Sequence, residues 1–387
     1  MGPGARITMT QPMPEQVNMK VLYLIQLPPP VHGVSLTNRF VYNSEVINGG
    51  ISKRLVRMKF SGSVEGLRRI SVRKLIAFVT VKARLFYELL ISRPDFVYFS
   101  FMPVGTGLIR DSVFLFLIKM FRVPVLLHLN NRGIRERSKK PFMRTWYRMV
   151  FRNTCVIHVT EGLLKREITA LNITKLAGAF VVPNTAETFN MPVVKEQNHT
   201  FRLLFLSNLF PEKGLLLLLE AMTICLKYNP DIELHAYGAG RGKKTDREYQ
   251  KYIEDNRLGR KVVLHGPVAG NEKGEVFAAH DLFVFPSYFP EECFPLVLLE
   301  AMQAGMAIVT TGIGGIPEML EHKKEALVVN PGDARELAES ILYLCRHPVE
   351  ARQLGQHARE RFFWEFSMEH FERKMRKVFE SCFKPHA

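Results

Sequence analysis

Two carboxylates, Glu292 and Glu300, stand with seven residues between them in the run Glu-Cys-Phe-Pro-Leu-Val-Leu-Leu-Glu, which continues into Ala-Met-Gln-Ala-Gly. Apolar, strand-like stretches flank this run, residues 281–287 before it and 306–311 after it, and Gly312-Ile-Gly-Gly-Ile-Pro-Glu318 follows. The order reads strand, loop, helix, strand, glycine-rich turn. It sets both carboxylates at the sheet end where α/β proteins bind ligands. Pro295 suits the first position of a helix, where its missing N–H costs nothing, and Gly305 suits the stop. Glu292 then lies in the loop beside the free N–H groups of the first helical turn, which favour anions such as phosphates. Glu300 lies inside the helix and needs a partner for its charge; a sugar hydroxyl or a ribose diol would serve. Eight helical residues would separate the two carboxylates by roughly 12 Å. That exceeds the ~5–9.5 Å of a hydrolase acid–base pair, so they read as two separate ligand contacts.

Three further positions sit where strands give way to helices. Ser207-Asn208-Leu-Phe-Pro-Glu-Lys213-Gly214 follows a strand and precedes a helix. A lysine and helix-initial amides at such a mouth would hold a diphosphate. His128 closes a strand and is followed by Leu-Asn-Asn-Arg-Gly, although a lone histidine there is more often a satisfied core or surface residue. Gly33 opens a helix after a proline-stiffened loop. Without a Cβ it would let the backbone approach a bound phosphate closely, and the plain reading as a loop glycine stands beside that one.

The stretch from Ser287 to Glu318 resembles the donor-site segment of the retaining glycosyltransferases of family 4, whose fold is called GT-B. Their pattern is Glu, seven residues, Glu, followed by Ala-Met. Cys293 and Pro295 stand where many members have glycine. Pro295 has no N–H to offer a donor, which leaves the amides of Phe294, Leu296 and Val297. The family places an arginine and then a lysine on the donor diphosphate; Lys213 matches the lysine, and Asn208 stands where the arginine is expected. The resemblance implies that Glu300 binds the nucleotide ribose and that Lys213, helped by Asn208, neutralises the leaving diphosphate. It implies that Glu292 contacts the donor sugar and stabilises positive charge at the anomeric carbon, with His128 positioning the sugar. No protein nucleophile, general base, metal or cofactor is implied. The donor substrate would be a nucleotide-diphosphate sugar of the UDP or GDP type.

The surrounding elements alternate strand and helix, which predicts parallel, doubly wound sheets and an α/β fold. At 387 residues the chain suits two domains. The expected division is a disordered tail over 1–17, an acceptor-side Rossmann-like domain over 18–185, a linker over 186–200 and a nucleotide-sugar-binding Rossmann-like domain over 201–365. A helix over 366–387 would return to the first domain, with Phe362 to Phe366, Phe371 and Phe379 as its packing residues.

The net charge of +16 is unevenly spread. Residues 1–200 hold 29 Lys/Arg against 11 Asp/Glu, and the remainder holds 24 against 26. Clusters at Lys53 to Lys59, Arg68 to Lys74, Lys82 to Arg84 and Arg132 to Arg148 are interleaved with apolar residues, a pattern that suits an anionic leaflet. Nucleic acid is disfavoured because no reading motif accompanies the charge. Five scattered cysteines without a CxxC argue for a reducing compartment and against structural zinc. A Walker A motif, a complete GxGxxG, an Asp-x-Asp and an HExxH are all missing, so ATP, NAD and metal chemistry are not implied. The resemblance, together with the basic first half, implies a retaining glycosyltransferase acting on a saccharide or lipid-linked acceptor in cell-surface polysaccharide synthesis. It would be cytoplasmic and peripheral at the inner face of the membrane. A GT-B epimerase and a non-catalytic sugar-nucleotide-binding protein are the competing expectations.

Overall fold

The computed structural model describes residues 19–60, 72–192, 200–240 and 242–383. The expected tail over 1–17, residues 193–199 of the 186–200 linker and the Arg68–Arg69 pair lie outside the described residues. Two six-stranded sheets organise the rest. The first contains β1 (Met19–Ile25), β2 (Ile51–Arg57), β3 (Phe96–Phe101), β4 (Val125–Leu129), β5 (Cys155–His158) and β6 (Gly178–Val181). The second contains β7 (Phe201–Leu206), β8 (Ile232–Tyr237), β9 (Val262–His265), β10 (Leu282–Phe285), β11 (Ala307–Thr311) and β12 (Leu327–Val329). Every strand pair is parallel. Strands such as Phe96–Phe101 and Leu282–Phe285 are buried along their whole length, which explains their unbroken apolar sequence.

The spatial orders are β2-β1-β3-β4-β5-β6 and β12-β11-β10-β7-β8-β9. Each sheet grows outward in both directions from its first strand. The switch points therefore fall between β1 and β3 in one lobe and between β7 and β10 in the other. Crevices open at the carboxyl ends of strands at such points. The structure thus fixes in advance which loops meet: the one after β7, carrying Lys213, and the one after β10, carrying Glu292.

The chain's last helix, Met368–Cys382, crosses back to the first lobe. Phe371, Met375, Val378 and Phe379 join Tyr23, Phe96 and Tyr98 in one buried cluster. Phe379 meets the Phe96 ring edge-on, with centroids 5.2 Å apart. The aromatic run before this helix behaves differently from expectation. Phe362 and Phe366 stay with Phe294, Leu298 and Met302 of the second lobe, because a π-helical turn over Phe362–Phe366 and Ser367 redirect the chain only after them. Basic residues mask one element from sequence reading: β2 is an edge strand whose Ser52, Lys53 and Arg54 are exposed. Phe379→Ala should destabilise the protein by about 3–5 kcal/mol in denaturant unfolding. A loss below about 1 kcal/mol would mean that the returning helix is not part of the first lobe's core.

Candidate active site

Lys213 and Glu292 are brought together by the order of the second sheet. Beyond β7 the chain makes a short 3-10 turn, Pro211–Lys213, and Gly214 takes up φ 90° before the helix Leu215–Tyr228. A Cβ on Gly214 would lie 2.1 Å from the Pro286 carbonyl oxygen at the end of β10, so only glycine lets these loops approach. Tyr288 N donates to Glu212 O at 2.9 Å, and Thr310 Oγ1 donates to Phe285 O at 2.8 Å, which pins the second loop to its neighbours. Within this frame Lys213 Nζ lies 2.6 Å from Glu292 Oε2, and Ser287 Oγ donates to the same oxygen at 3.0 Å. The Glu292 carboxylate thus bonds Lys213 and Ser287, and no hydrogen bond joins it to the helix amides among the described residues. Phe289 covers the lysine, with its ring centroid 4.9 Å from Nζ.

The helix Leu296–Ala304 starts one residue later than expected: Pro295 is its N-cap, with ψ 121°, and Leu296 its first helical residue. Leu298 N turns back to Pro295 O. The Phe294, Leu296 and Val297 amides have no backbone acceptor among the described residues, as expected of groups at a helix start. Gly315, in contrast, spends its amide on Cys293 O at 2.9 Å, so it is not available to a ligand. Gly314, at φ 61°, sits so close that a Cβ would lie 2.2 Å from Glu292 O.

Glu300 is buried at 3% exposure, and its partner is one that sequence reading missed. Lys273, from the helix Glu272–Ala278, donates to Glu300 Oε1 at 2.7 Å. Burial pushes the carboxyl's pKa up, and the lysine pulls it back toward the ionised form. Glu300 Oε2 is buried and has no partner among the described residues. One oxygen is therefore held by a cation, and the other is buried without a hydrogen-bond donor among the described residues.

The first lobe contributes its own strand ends. Gly33 opens the helix Gly33–Asn43, and a Cβ there would be 3.9 Å from Leu296 Cδ1, so this residue faces the second lobe's helix start. His32 caps that helix through Nδ1, and its Nε2 is buried without a partner among the described residues. His128 is fully buried, and its Nδ1 lies 2.6 Å from the Tyr98 hydroxyl. Burial holds the imidazole pKa down to about 4 and pushes Tyr98 up, so a neutral ring faces a protonated phenol. His128 Nε2, the Asn130 amide and His158 Nε2 are all buried without partners among the described residues, a polar set at the ends of β4 and β5. Asn208 is half-buried, with its side chain free of hydrogen bonds among the described residues. No group of three His, Cys, Asp or Glu among the described residues is placed to hold a metal ion.

The two lobes touch beside this site. Glu318 of the second lobe accepts from Thr160 Oγ1 and from Gly162 N, both at 2.8 Å. Arg132 Nε donates to Pro290 O at 2.6 Å.

Two facing Rossmann-like lobes with parallel sheets define a GT-B fold. Anabaena HepE, solved in complex with UDP, superposes with a TM-score of 0.71 at 18% identity, covering 94% of this chain and 100% of that one. Residues 186–361, which take in most of the second lobe, match the family described as glycosyl transferases group 1. The sulfoquinovosyl transferase of Arabidopsis thaliana is 30% identical over 215 residues, 52% of this chain and 39% of that protein. The amylovoran biosynthesis glycosyltransferase AmsK of Erwinia amylovora is 27% identical over 198 residues, 50% of this chain and 48% of that protein. The matches thus span about half, or less, of these relatives' length.

Two measurements check the electrostatics. Lys273→Met strands a buried carboxylate and should cost about 3–5 kcal/mol of unfolding free energy, most of it restored in Lys273→Met/Glu300→Gln. Simple additivity of the two substitutions would show that the pair is not coupled. His128, held at about 4 against an ordinary 6.5, binds its proton less readily when folded. Its contribution is complete above pH 6.5 and is lost as the pH falls toward 4, by about 3 kcal/mol. Unfolding curves of His128→Gln should be flatter than wild type across that window, and identical slopes would refute the assignment.

Proposed function

We propose that the protein is a retaining glycosyltransferase of family 4 that moves a sugar from a UDP- or GDP-type nucleotide sugar to a saccharide or lipid-linked acceptor in cell-surface polysaccharide synthesis. The observation that carries this reading is the pairing of Lys213 with Glu292 at the switch point. The free amides of the helix Leu296–Ala304 and the half-engaged Glu300 carboxylate belong to the same loop-and-helix segment. The fold agrees with it: HepE has been solved with UDP-glucose.

In this reading the donor ribose takes the open Glu300 oxygen, and the diphosphate takes Lys213 and the helix amides. A diphosphate draws the Lys213 ammonium toward itself and frees Glu292, whose carboxylate then faces the sugar. As the bond from the anomeric carbon to phosphate stretches, positive charge grows on that carbon and negative charge on the leaving oxygen. Glu292 stabilises the first and Lys213 the second, with no reorganisation of solvent. Asn208 offers the diphosphate a neutral donor where the family's arginine would offer charge. His128, reached from the first lobe, would hold a sugar hydroxyl through Nε2. The basic first lobe places the acceptor at an anionic membrane surface on the cytoplasmic side. No helix among the described residues is long and apolar enough to cross a membrane, so association would be peripheral.

The test is nucleotide release from a panel of UDP- and GDP-sugars with saccharide and lipid-linked acceptors. Glu300→Gln should raise the donor KM roughly 10–100-fold with a smaller change in kcat. Glu292→Gln should lower kcat roughly 100-fold or more. Full activity in Glu292→Gln would overturn the role given to that residue, and an inverted anomeric configuration in the product would overturn retention.

A further inference from the structure

We propose that the outer face of the three-helix layer on the first lobe is a docking surface for an anionic lipid bilayer. It deepens the membrane association proposed above by naming the surface that carries it, and it rests on that surface and not on the sugar transfer. The helix Val72–Ile91 is apolar on both sides. Val81, Leu85 and Leu89 pack into the first lobe's core. On the opposite side Ile76 is 61% exposed, Tyr87 59% and Ile91 62%, with Leu75, Val79 and Leu90 alongside. A helix that is apolar all round is normally covered all round. At 100° per residue the outward arc is bordered by Lys82 on one side and Arg84 on the other, both exposed.

The stripe continues onto two neighbouring helices. Phe78 stacks on Phe114 and Phe116 meets Trp146, which ties Val72–Ile91, Gly105–Met120 and Pro141–Phe151 into one layer. Lys119 Nζ donates to Met149 O, Val150 O and Arg152 O, which fixes the second helix to the end of the third. Outward from this layer stand Met120, 78% exposed, and Phe142, 71% exposed, with Ile109 and Met149. Arg144 and Arg148 are interleaved with them on the exposed side. The described acidic side chains of the three helices are Glu88, which is half-buried, and Asp111, which is fully buried and bonded to Arg110. The exposed face therefore carries apolar groups and cations together, with Glu88 the one partly exposed acid among the described residues of these helices.

That combination selects the occupant. A second copy docked by a two-fold axis would set the same patch against itself, cation rim near cation rim. Nucleic acid would use the cations and gain nothing from the apolar stripe. An anionic bilayer uses both: the side chains of Ile76, Tyr87 and Leu90 enter the headgroup boundary while the bordering lysines and arginines meet lipid phosphates.

The experiment is co-sedimentation of the full chain with vesicles of phosphatidylglycerol and phosphatidylcholine in equal parts, against vesicles of phosphatidylcholine alone, at low and at high salt. Binding to the anionic vesicles that weakens with salt is expected. Ile76→Ser/Leu90→Ser and, separately, Lys82→Glu/Arg84→Glu should each lower partitioning roughly tenfold or more. Both alter exposed positions, so their thermal unfolding and vesicle-free nucleotide release should match wild type. Three results would overturn the proposal: equal binding to both vesicle types, wild-type binding by both variants, or a wild-type dimer in sedimentation that the variants split.

Discussion

The adjacency of β7 and β10 is the constraint on which the site depends. These strands are neighbours in the second sheet although the residues that follow them, Lys213 and Glu292, are 79 positions apart in the chain. Parallel pairing sends both strands' carboxyl ends to the same edge, and the crossovers leave in opposite directions, so their loops must share one crevice. The close approach then requires Gly214, since any side chain there would collide with Pro286. Sheet order thus determines loop contact, loop contact demands a glycine, and the glycine lets a lysine meet a carboxylate within 2.6 Å.

The second lobe repeats one electrostatic solution at two depths. Glu292 and Glu300 are each buried and each held by a lysine from another element, Lys213 and Lys273. A buried carboxylate without a cation would take up a proton and cease to attract either a hydroxyl donor or a growing positive charge. The two pairs differ in what they leave open. Lys213 and Ser287 converge on one oxygen of Glu292, and the other has no hydrogen bond among the described residues. Lys273 likewise leaves Glu300 Oε2, deep in the protein, without a partner among the described residues. For the proposed reaction this division is apt: the deeper pair is a fixed anchor, and the shallower one is a lysine that a diphosphate can recruit.

Much of this was legible in the sequence because it is local or periodic. Alternating strand and helix predicted parallel sheets, and the Glu292-to-Glu300 run marked the loop and helix that carry both carboxylates. What was hidden depends on contacts between distant segments. Lys273 sits 27 residues before Glu300 on a short helix whose sequence resembles any solvated surface. β2 reads as a basic cluster because an edge strand with an exposed face carries no apolar run. Glu318 appeared as the tail of a glycine-rich turn, and only the folded chain shows its carboxylate bound to Thr160 and Gly162. Phe362 and Phe371 look alike in sequence, yet a break in the helix between them sends one to each lobe.

That Glu318 contact gives the interlobe boundary a particular relation to the site. Its carboxylate reaches the first lobe, while Gly315, just before its short helix, donates to Cys293 O, and Gly314 packs on Glu292 O. Arg166 of the first lobe closes the ring by donating to Gly314 O at 3.3 Å. The loop bearing Glu292 is therefore braced from behind by the same segment that meets the first lobe. Arg132 adds a direct hydrogen bond to that loop at Pro290. Lys213 and Lys273, in contrast, are positioned by elements wholly inside the second lobe. A change in the spacing of the lobes bears on Glu292 before it bears on either lysine. In the reaction proposed above this would separate the two tasks physically: holding the nucleotide would fall to one lobe, and presenting the Glu292 carboxylate to the sugar would depend on both.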